Sequence, residues 1–283
     1  MLRAKRLTFI MRMVIRYYSY RLLVRYYWIQ WILPFEVLNL FFAFLSWYYL
    51  GIAAGAERSI YTRYGGFTNF LLTGLVANTI LKSSLNSFLR ATDFLVRGKV
   101  GGRTGQAMAF YDYCILMGIP LSVPILAWII DEYVEGIIFA TIYLIIGWTF
   151  GYAYPIGRTL ISIFAIVLGG IALMSYSLFA SAFALHFNTW RGGINPLVWA
   201  LNILSNVFAG VYFPVEVIPS NLRFLSLILP QTYTLRVIRS GLLNEGTIFD
   251  LTLLSIIIIL LFPIGIALYR RELDNLRRHP PVV

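Results

Sequence analysis

The stretch YFPVEVIPSNLRFLSLILP, residues 212–230, decides the fold, because it is oily enough for a membrane and too interrupted to cross one. Five residues that disfavour a membrane-crossing helix lie within it: Pro214, Glu216, Pro219, Arg223 and Pro230. Pro219 and Pro230 suit the first turn of a helix, and Gly241 suits a helix end. The spacing predicts two short helices, at about 220–229 and 231–240, each roughly 15 Å long and half of the roughly 30 Å hydrocarbon layer.

These two helices are too short to span a bilayer. Irregular backbone at membrane depth is tolerated only where protein or a water-filled cavity surrounds it. Residues 220–240 are therefore predicted to form a re-entrant helix pair at the outer leaflet, before the last span.

The composition is that of a polytopic membrane protein. The 283 residues are 59% hydrophobic and 12% charged, against about 45–50% and about 25% in soluble domains. The single cysteine excludes an internal disulfide, and no paired Cys/His spacing predicts a metal site. The basic residues near the N-terminus are spread along the chain, unlike those of a secretory signal, so we expect a cytoplasmic N-terminus. We expect contact with membrane lipid and none with nucleic acid.

Hydropathy predicts an all-α fold of six transmembrane helices in one domain, residues 1–283. The predicted spans are 32–55, 67–89, 136–155, 159–184, 197–214 and 249–269. Residues 113–130 are an alternative seventh span, and the Lys and Arg content of the loops barely distinguishes the two topologies. We favour six spans with both termini cytoplasmic, because Pro120 and Pro124 would break a seventh helix. Six spans also leave Asp131, Glu132 and Glu135 in cytoplasmic water.

Two further segments lie outside the predicted spans. Residues 5–25 form a basic amphipathic pattern that predicts a helix lying in the inner interface, as a lipid anchor or a partner contact. The glycine-rich part of the 90–135 loop lacks the order of a phosphate-binding loop. It is better explained as a flexible break before a short cytoplasmic helix at about 106–117, which is either interfacial or a docking element.

Polar and aromatic side chains in the spans are candidates for a substrate path. The amides are Asn78, Asn86, Asn202 and Asn206, and interhelical hydrogen bonding explains them as well as path lining does. Glu36 is either an interface acid or a partner for a basic group, and Lys82 lies within reach of the cytoplasmic side. The aromatic candidates are Phe41, Phe44 and Phe208, whose other explanation is contact with lipid. His186 and His279 are isolated, and we predict no catalytic residue.

The segment AGVYFPVEVIPSNLRFLSLILPQTYTLRVIR, residues 209–239, carries a recognisable pattern. The pattern begins with a small residue and Gly, followed by two residues of any type and then Phe-Pro. A further Pro comes next, and after it Pro-x-Thr-Tyr and an Arg. The matching residues are Gly210, Phe213, Pro214, Pro219, Pro230, Thr232, Tyr233 and Arg239. At these positions the chain resembles the permeases of type-two ABC exporters, and the order of segments matches along the whole chain. The loop match is looser, because Gly102-Arg103-Thr104-Gly105 lacks the acid of the family's Glu-Arg-Gly-Thr run.

The resemblance implies a permease that pairs with a second permease chain, as a homodimer, and with two ATP-binding subunits. ATP and Mg would be bound and hydrolysed in those subunits, with no cofactor on this chain. The segment 106–117 would be a coupling helix. The implied docking residues are Arg12, Arg16, Arg103, Gln106, Met108, Phe110 and Tyr111. The protein would lie in the cell membrane and export a hydrophobic or amphipathic drug or lipid.

Three other functions stay open from the sequence. One is export of a polysaccharide or lipid-linked glycan, since aromatic faces also suit sugars. The second is an integral membrane enzyme that modifies lipids or glycans, for which Asp131, Glu132 and Glu135 form the candidate acidic cluster. The third is a non-transporting scaffold, which the polar residues in the spans oppose.

Overall fold

The structure is a computed structural model that describes residues 12–15, 33–53, 61, 64–100, 108–152, 159–186, 195–240 and 245–278. Residues 12–15 are helical. The longer helices are α1 Leu33–Ala53, α2 Phe67–Arg97, α3 Phe110–Leu116, α4 Ser122–Thr149, α5 Thr159–His186, α6 Asn195–Phe208, α7 Arg223–Ile228, α8 Pro230–Ser240 and α9 Glu245–Arg278. Strands β1 Lys99–Val100 and β2 Met108–Ala109 pair antiparallel, and Val215–Val217 is a 3₁₀ turn.

Helix α2 is the centre of the bundle and packs against α4, α5, α6 and α8. Small residues allow the close approach, as membrane helices commonly require. A Cβ at Gly136 of α4 would lie 3.1 Å from the Thr79 carbonyl of α2, and one at Gly265 of α9 would lie 3.1 Å from Leu178 of α5. These approaches join α4 to α2 as an antiparallel pair and α9 to α5 as a parallel pair.

Two buried clusters occupy opposite ends of the bundle. The first contains Phe44, Phe70 and Leu72, and the second contains Leu95, Cys114 and Tyr269. Large apolar side chains on the outside stay exposed, among them Leu160 and Ile259. A continuous apolar outer surface of this kind is what lipid contact requires.

Three helices among the described residues are long and apolar enough to cross a membrane: Leu33–Ala53, Leu160–His186 and Glu245–Asn275. The structure is all-helical apart from the short β1–β2 pair, and it leaves the six-span prediction unproven. Helix α6, with 14 residues, extends about 21 Å, less than the hydrocarbon thickness.

The prediction for residues 113–155 is corrected. One continuous helix, α4, runs from Ser122 to Thr149, so residues 122–130 belong to the same helix as the predicted span 136–155. Pro120 precedes this helix and Pro124 lies in its first turn, where a missing N–H breaks no hydrogen bond. Asp131 and Glu132 are buried mid-helix, and the expectation that they lie in cytoplasmic water is wrong.

The short helices before the last span lie near their predicted places. Pro230 is the first residue of α8, the position predicted for it. Pro219 instead begins a turn, because its carbonyl accepts from the Leu222 and Arg223 amides at 2.9 and 3.1 Å. Helix α7 therefore starts at Arg223 and has only 6 residues.

Candidate functional site

The signature segment is held together by Arg239 of α8. Its guanidinium donates to the carbonyls of Gly210 at 2.5 Å, Val211 at 3.0 Å and Phe70 at 3.2 Å. It also stacks on the Phe70 ring, 3.5 Å from the ring centroid. We call these contacts the guanidinium clamp. The clamp ties α8 to the first turns of α2 and to the turn that follows α6.

Two glycines make room for the clamp. Gly210 has φ +82°, a left-handed conformation that side chains rarely adopt, and its carbonyl thereby reaches Arg239. A Cβ at Gly74 would overlap both the Arg239 guanidinium and the Val211 carbonyl. The turn can therefore lie directly against α2 only because position 74 has no side chain.

The other signature residues surround the clamp. Tyr233 donates from its hydroxyl to the Leu227 carbonyl at 2.5 Å, which fixes α7 against α8. Thr232 is fully buried, and the Pro214 carbonyl accepts from the Val217 amide at 3.0 Å in the 3₁₀ turn. Phe213 meets Trp47 of α1 edge-on, with ring centroids 5.7 Å apart. The signature thus builds one connected corner at the end of the bundle where α2 begins.

The span asparagines form hydrogen bonds between helices. Asn78 accepts from the Gln231 amide at 2.5 Å and donates to Asn206 at 3.1 Å. Asn202 donates to Asn86 at 2.8 Å. These bonds join α2 to α6 and α8, so the interhelical explanation is correct for all four asparagines.

A polar cavity of about 230 Å³ opens between α1, α2, α4 and α6. We call it the charged cavity, because its wall carries Glu36, Lys82, Arg90, Glu132 and Glu135. Arg90 and Glu132 form an ion pair at 3.1 Å. Amide and phenol groups also line the wall: Asn39, Asn78, Asn86, Asn206, Tyr143 and Tyr212. Asn78, Asn86 and Asn206 therefore line this cavity in addition to making hydrogen bonds between helices.

The aromatic path candidates lie elsewhere. Phe44 is fully buried in the core, stacked on Tyr48 at 5.8 Å and edge-on to Phe150 at 5.0 Å. Phe41 packs against the same core. Phe208, at the end of α6, is half-buried. None of the three is among the residues that line the charged cavity.

The sequence analysis missed the acidic and basic residues that α2 and α4 bring together. A signal was present: α2 carries a polar residue at every fourth position from Asn78 through Lys82 and Asn86 to Arg90. Residues four apart share a face of a helix. That row predicts a polar face, and the structure supplies its partners on α4 and α1.

The helix in the predicted coupling segment is shorter than expected, and its first residues face the core of the bundle. Helix α3 begins at Phe110, after β2. The Phe110 and Tyr111 side chains are 6% and 2% exposed, so they lie in the core of this chain and not on its surface. They pack on α2 and α4 because the apolar side of a short helix is buried where a core is available. The exposed apolar side chains are Ile115, Leu116 and Met117.

The remaining docking candidates are less informative. Arg12 is exposed, and Met108 lies in β2. Arg16, Arg103 and Gln106 lie outside the described residues. Cys114, inside the second cluster, is fully buried, and this burial raises the pKa of its thiol to about 11.

His186, to which the sequence analysis assigned no role, contacts an acid on another helix. Its Nδ1, at the end of α5, lies 3.2 Å from the Glu272 carboxylate of α9. The contact joins two long helices at the end of the bundle where α2 ends.

Comparison with known families gives a match, over residues 106–243, to the membrane domain described as ABC-2 type transporter. No curated protein matches the chain. The matched region contains α3 to α8, and with them Arg239, Gly210 and Val211 of the guanidinium clamp and the α4 and α6 walls of the charged cavity. The resemblance seen in the signature residues is thereby confirmed for this part of the chain.

Proposed function

We propose that this chain, which carries an ABC-2 type transporter domain and is the permease subunit of an ABC transporter, exports a hydrophobic or amphipathic substrate, a drug or a lipid. The substrate would enter from the cytoplasm or the inner leaflet and leave on the outside. The family match supports the permease role, and the cargo class and direction are our inference.

The charged cavity is the observation that carries this proposal. Its wall carries charged, amide and phenol groups, whereas the outer surfaces of the surrounding helices are apolar. Polar groups within a membrane-embedded bundle are costly and commonly mark a substrate path. A molecule with a polar head and an apolar body suits a chamber of this kind inside an apolar bundle.

Energy would come from two ATP-binding subunits, which bind Mg and ATP and dock on residues 106–117 and on the N-terminal helix. The packing of α3 gives this docking a physical consequence. Phe110 contacts Phe94 of α2 with ring centroids 4.7 Å apart, and Phe94 stacks on Trp128 of α4 at 4.5 Å. Movement of α3 would therefore be passed to the two helices that form most of the charged cavity.

A second copy of the chain would complete the permease, meeting the first along α1 and α6. Single cysteines at Phe41 and Phe208 in a Cys114-free background test this interface. Disulfide-linked dimers between them support it, and the absence of any dimer band argues against it. The same single-cysteine approach, with reagents added from one side of the cell membrane, tests the cytoplasmic placement of both termini.

The test of the whole proposal is ATPase activity of this chain purified with its candidate ATPase subunit in lipid nanodiscs. The activity is scanned against amphipathic drugs, lipids and lipid-linked sugars. Stimulation by drugs or lipids supports the proposal, and stimulation by lipid-linked sugars alone would replace it with glycan export. If no complex forms and no compound stimulates hydrolysis, the transport function itself is refuted.

A further inference from the structure

A second cavity, with no part in the proposed transport path, lies beside the guanidinium clamp. Its volume is about 510 Å³, more than twice that of the charged cavity. We call it the corner cavity. The described part of its wall comes from the first turn of α2, the turn after α6, helix α8 and the first two turns of α9. None of the described residues that line it also lines the charged cavity, so the two cavities are distinct.

The wall of the corner cavity contains a buried carboxylate. Asp250 of α9 lines the cavity, and its side chain is 8% exposed. The Arg236 guanidinium lies 3.8 Å from this carboxylate, which is too far for a hydrogen bond. Asp250 makes no hydrogen bond to any residue that the structure describes. Because buried polar atoms are nearly always hydrogen-bonded, this carboxylate suits a donor that enters from the cavity.

Arg236 places a cation in the same cavity. It lies on α8, facing Asp250 on α9, and its side chain is 45% exposed. A guanidinium is a strong partner for phosphate, because its N–H groups match two oxygens at once. One side of the cavity therefore has a donor for an anionic group, and the other has an acceptor for an N–H group. A ligand that carries both charges on neighbouring groups satisfies the two sides together.

We propose that the corner cavity binds the headgroup of a zwitterionic phospholipid with a primary ammonium, a headgroup of the phosphoethanolamine type. The ammonium donates to the Asp250 carboxylate, and the phosphate accepts from Arg236. A primary ammonium has three N–H donors, whereas the quaternary ammonium of a phosphocholine head has none. The site therefore distinguishes two headgroups that have the same net charge.

Two features favour a lipid over a soluble compound with the same head. Helix α9 is long and apolar enough to cross a membrane, and Asp250 lies about 7.5 Å along its axis from the first residue, Glu245. That distance is comparable to one headgroup layer of about 5–7 Å. Ile248 and Phe249, in the same turn as Asp250, are 56% and 62% exposed. They form an apolar surface of the kind that acyl chains cover.

The experiment offers the full chain two phospholipids that differ only in the methylation of the amine. Phosphatidylethanolamine and phosphatidylcholine with identical acyl chains are added in equal amounts to the purified protein in detergent. Native mass spectrometry then measures how much of each lipid is bound. We expect at least about tenfold more bound phosphatidylethanolamine, which corresponds to about 1.4 kcal/mol. The N-methyl and N,N-dimethyl lipids, which keep at least one N–H donor, should also bind better than phosphatidylcholine.

Two substitutions separate the two contacts. Asp250→Asn should bring the ratio of the two bound lipids close to one, because the charged acceptor that recognises the N–H donors is lost. Arg236→Gln should weaken binding of both lipids several-fold and preserve the ratio, because both lipids carry the phosphate. Both lipids are measured on a single sample, so partial loss of folding, which lowers the binding of both alike, leaves the ratio unchanged.

Glu245→Gln is the matched control on the same helix. Glu245 is exposed, precedes Asp250 by about one turn and is not among the described residues that line the corner cavity. This variant should bind both lipids as the wild-type protein does.

Four results would overturn the proposal. Equal amounts of the two lipids on the wild-type protein would mean that lipid only coats the apolar surface. A preference for phosphatidylcholine, no bound lipid, or an unchanged ratio in Asp250→Asn would contradict the assigned contacts. Free O-phosphoethanolamine is added as a competitor, and if it binds as tightly as the lipid, the occupant is a soluble zwitterion and not a phospholipid. Binding is measured on this chain alone, so its outcome is independent of the ATPase test of transport.

Discussion

Replacement of Arg239 by lysine should destabilise the protein far more than the conservative nature of the change suggests. The guanidinium makes three hydrogen bonds, to the carbonyls of Phe70, Gly210 and Val211, and stacks on the Phe70 ring. A lysine ammonium is a compact charge that cannot bridge all three carbonyls and stack on the ring at once. It should keep one hydrogen bond and lose two, together with the stacking.

The size of the effect follows from these losses. A hydrogen bond to a charged group contributes about 1.5–3 kcal/mol, and a cation–π contact contributes about 1 kcal/mol. Allowing for relaxation, we expect Arg239→Lys to lower the free energy of unfolding by about 3 kcal/mol or more. This corresponds to a decrease in Tm of roughly 6 °C or more.

Arg236→Lys is the matched control on the same helix. Arg236 is 45% exposed and lies 3.8 Å from the Asp250 carboxylate, and pairs of this kind contribute about 0–1 kcal/mol. Tm is measured for the wild-type protein and both variants in the same detergent, from the fraction that stays monodisperse after heating. If Arg239→Lys and Arg236→Lys melt within a degree or so of each other, the guanidinium clamp is not a structural device.

Three further predictions follow from the same packing. Gln231→Leu should lower the free energy of unfolding by about 1–2 kcal/mol. A double-mutant cycle with Asn78→Leu, measured by thermal unfolding, should give a coupling energy of about 0.6–1.7 kcal/mol. Additive losses would exclude the hydrogen bond between the two side chains. Gly74→Ala should lower the free energy of unfolding by about 1–3 kcal/mol despite alanine's higher helix propensity, because the added methyl group overlaps the guanidinium clamp. An unchanged Tm would contradict that close approach. Cys114 should resist maleimide at about pH 7.5, since burial raises its pKa to about 11 and leaves fewer than about one thiol in a thousand ionised. Leu116→Cys in a Cys114→Ala background should label quickly, and rapid labelling of native Cys114 would show that the inward face of α3 is wrong.

The local features of the fold were readable from the sequence because they depend on near neighbours. Apolar runs predict the helices. Pro230 predicts the start of α8, since a proline at a first helical position needs no partner elsewhere in the chain. The spacing of Asn202 and Asn206 gave one polar face of α6. Their bonding partners were not readable, because Asn206 and Asn78 are 128 residues apart.

The error at α4 has a specific physical cause. Acidic residues were assigned to water on the general ground that charge avoids the bundle interior. Glu132 is buried because Arg90, 42 residues earlier on α2, supplies its counter-charge, and no local pattern contains that information. The inward side of α3 was not readable from the sequence for a related reason. Periodicity identifies the two sides of a short helix, but only the tertiary packing of Phe94 and Trp128 shows which side is inward.

One row of residues on α2 joins the two parts of the site. At every fourth position it carries Phe70, Gly74, Asn78, Lys82, Asn86 and Arg90. The first two form the floor of the guanidinium clamp, the third bonds Gln231 of α8, and the last three line the charged cavity. Because the helix has 3.6 residues per turn, each step turns the row by about 40°, so it faces α8 near the start of α2 and the α1–α4 side near its end. The row is about 30 Å long, the thickness of the hydrocarbon layer. A displacement of the corner at the start of α2 therefore moves the Lys82 side of the cavity through a single helix, with no loop between them to absorb it.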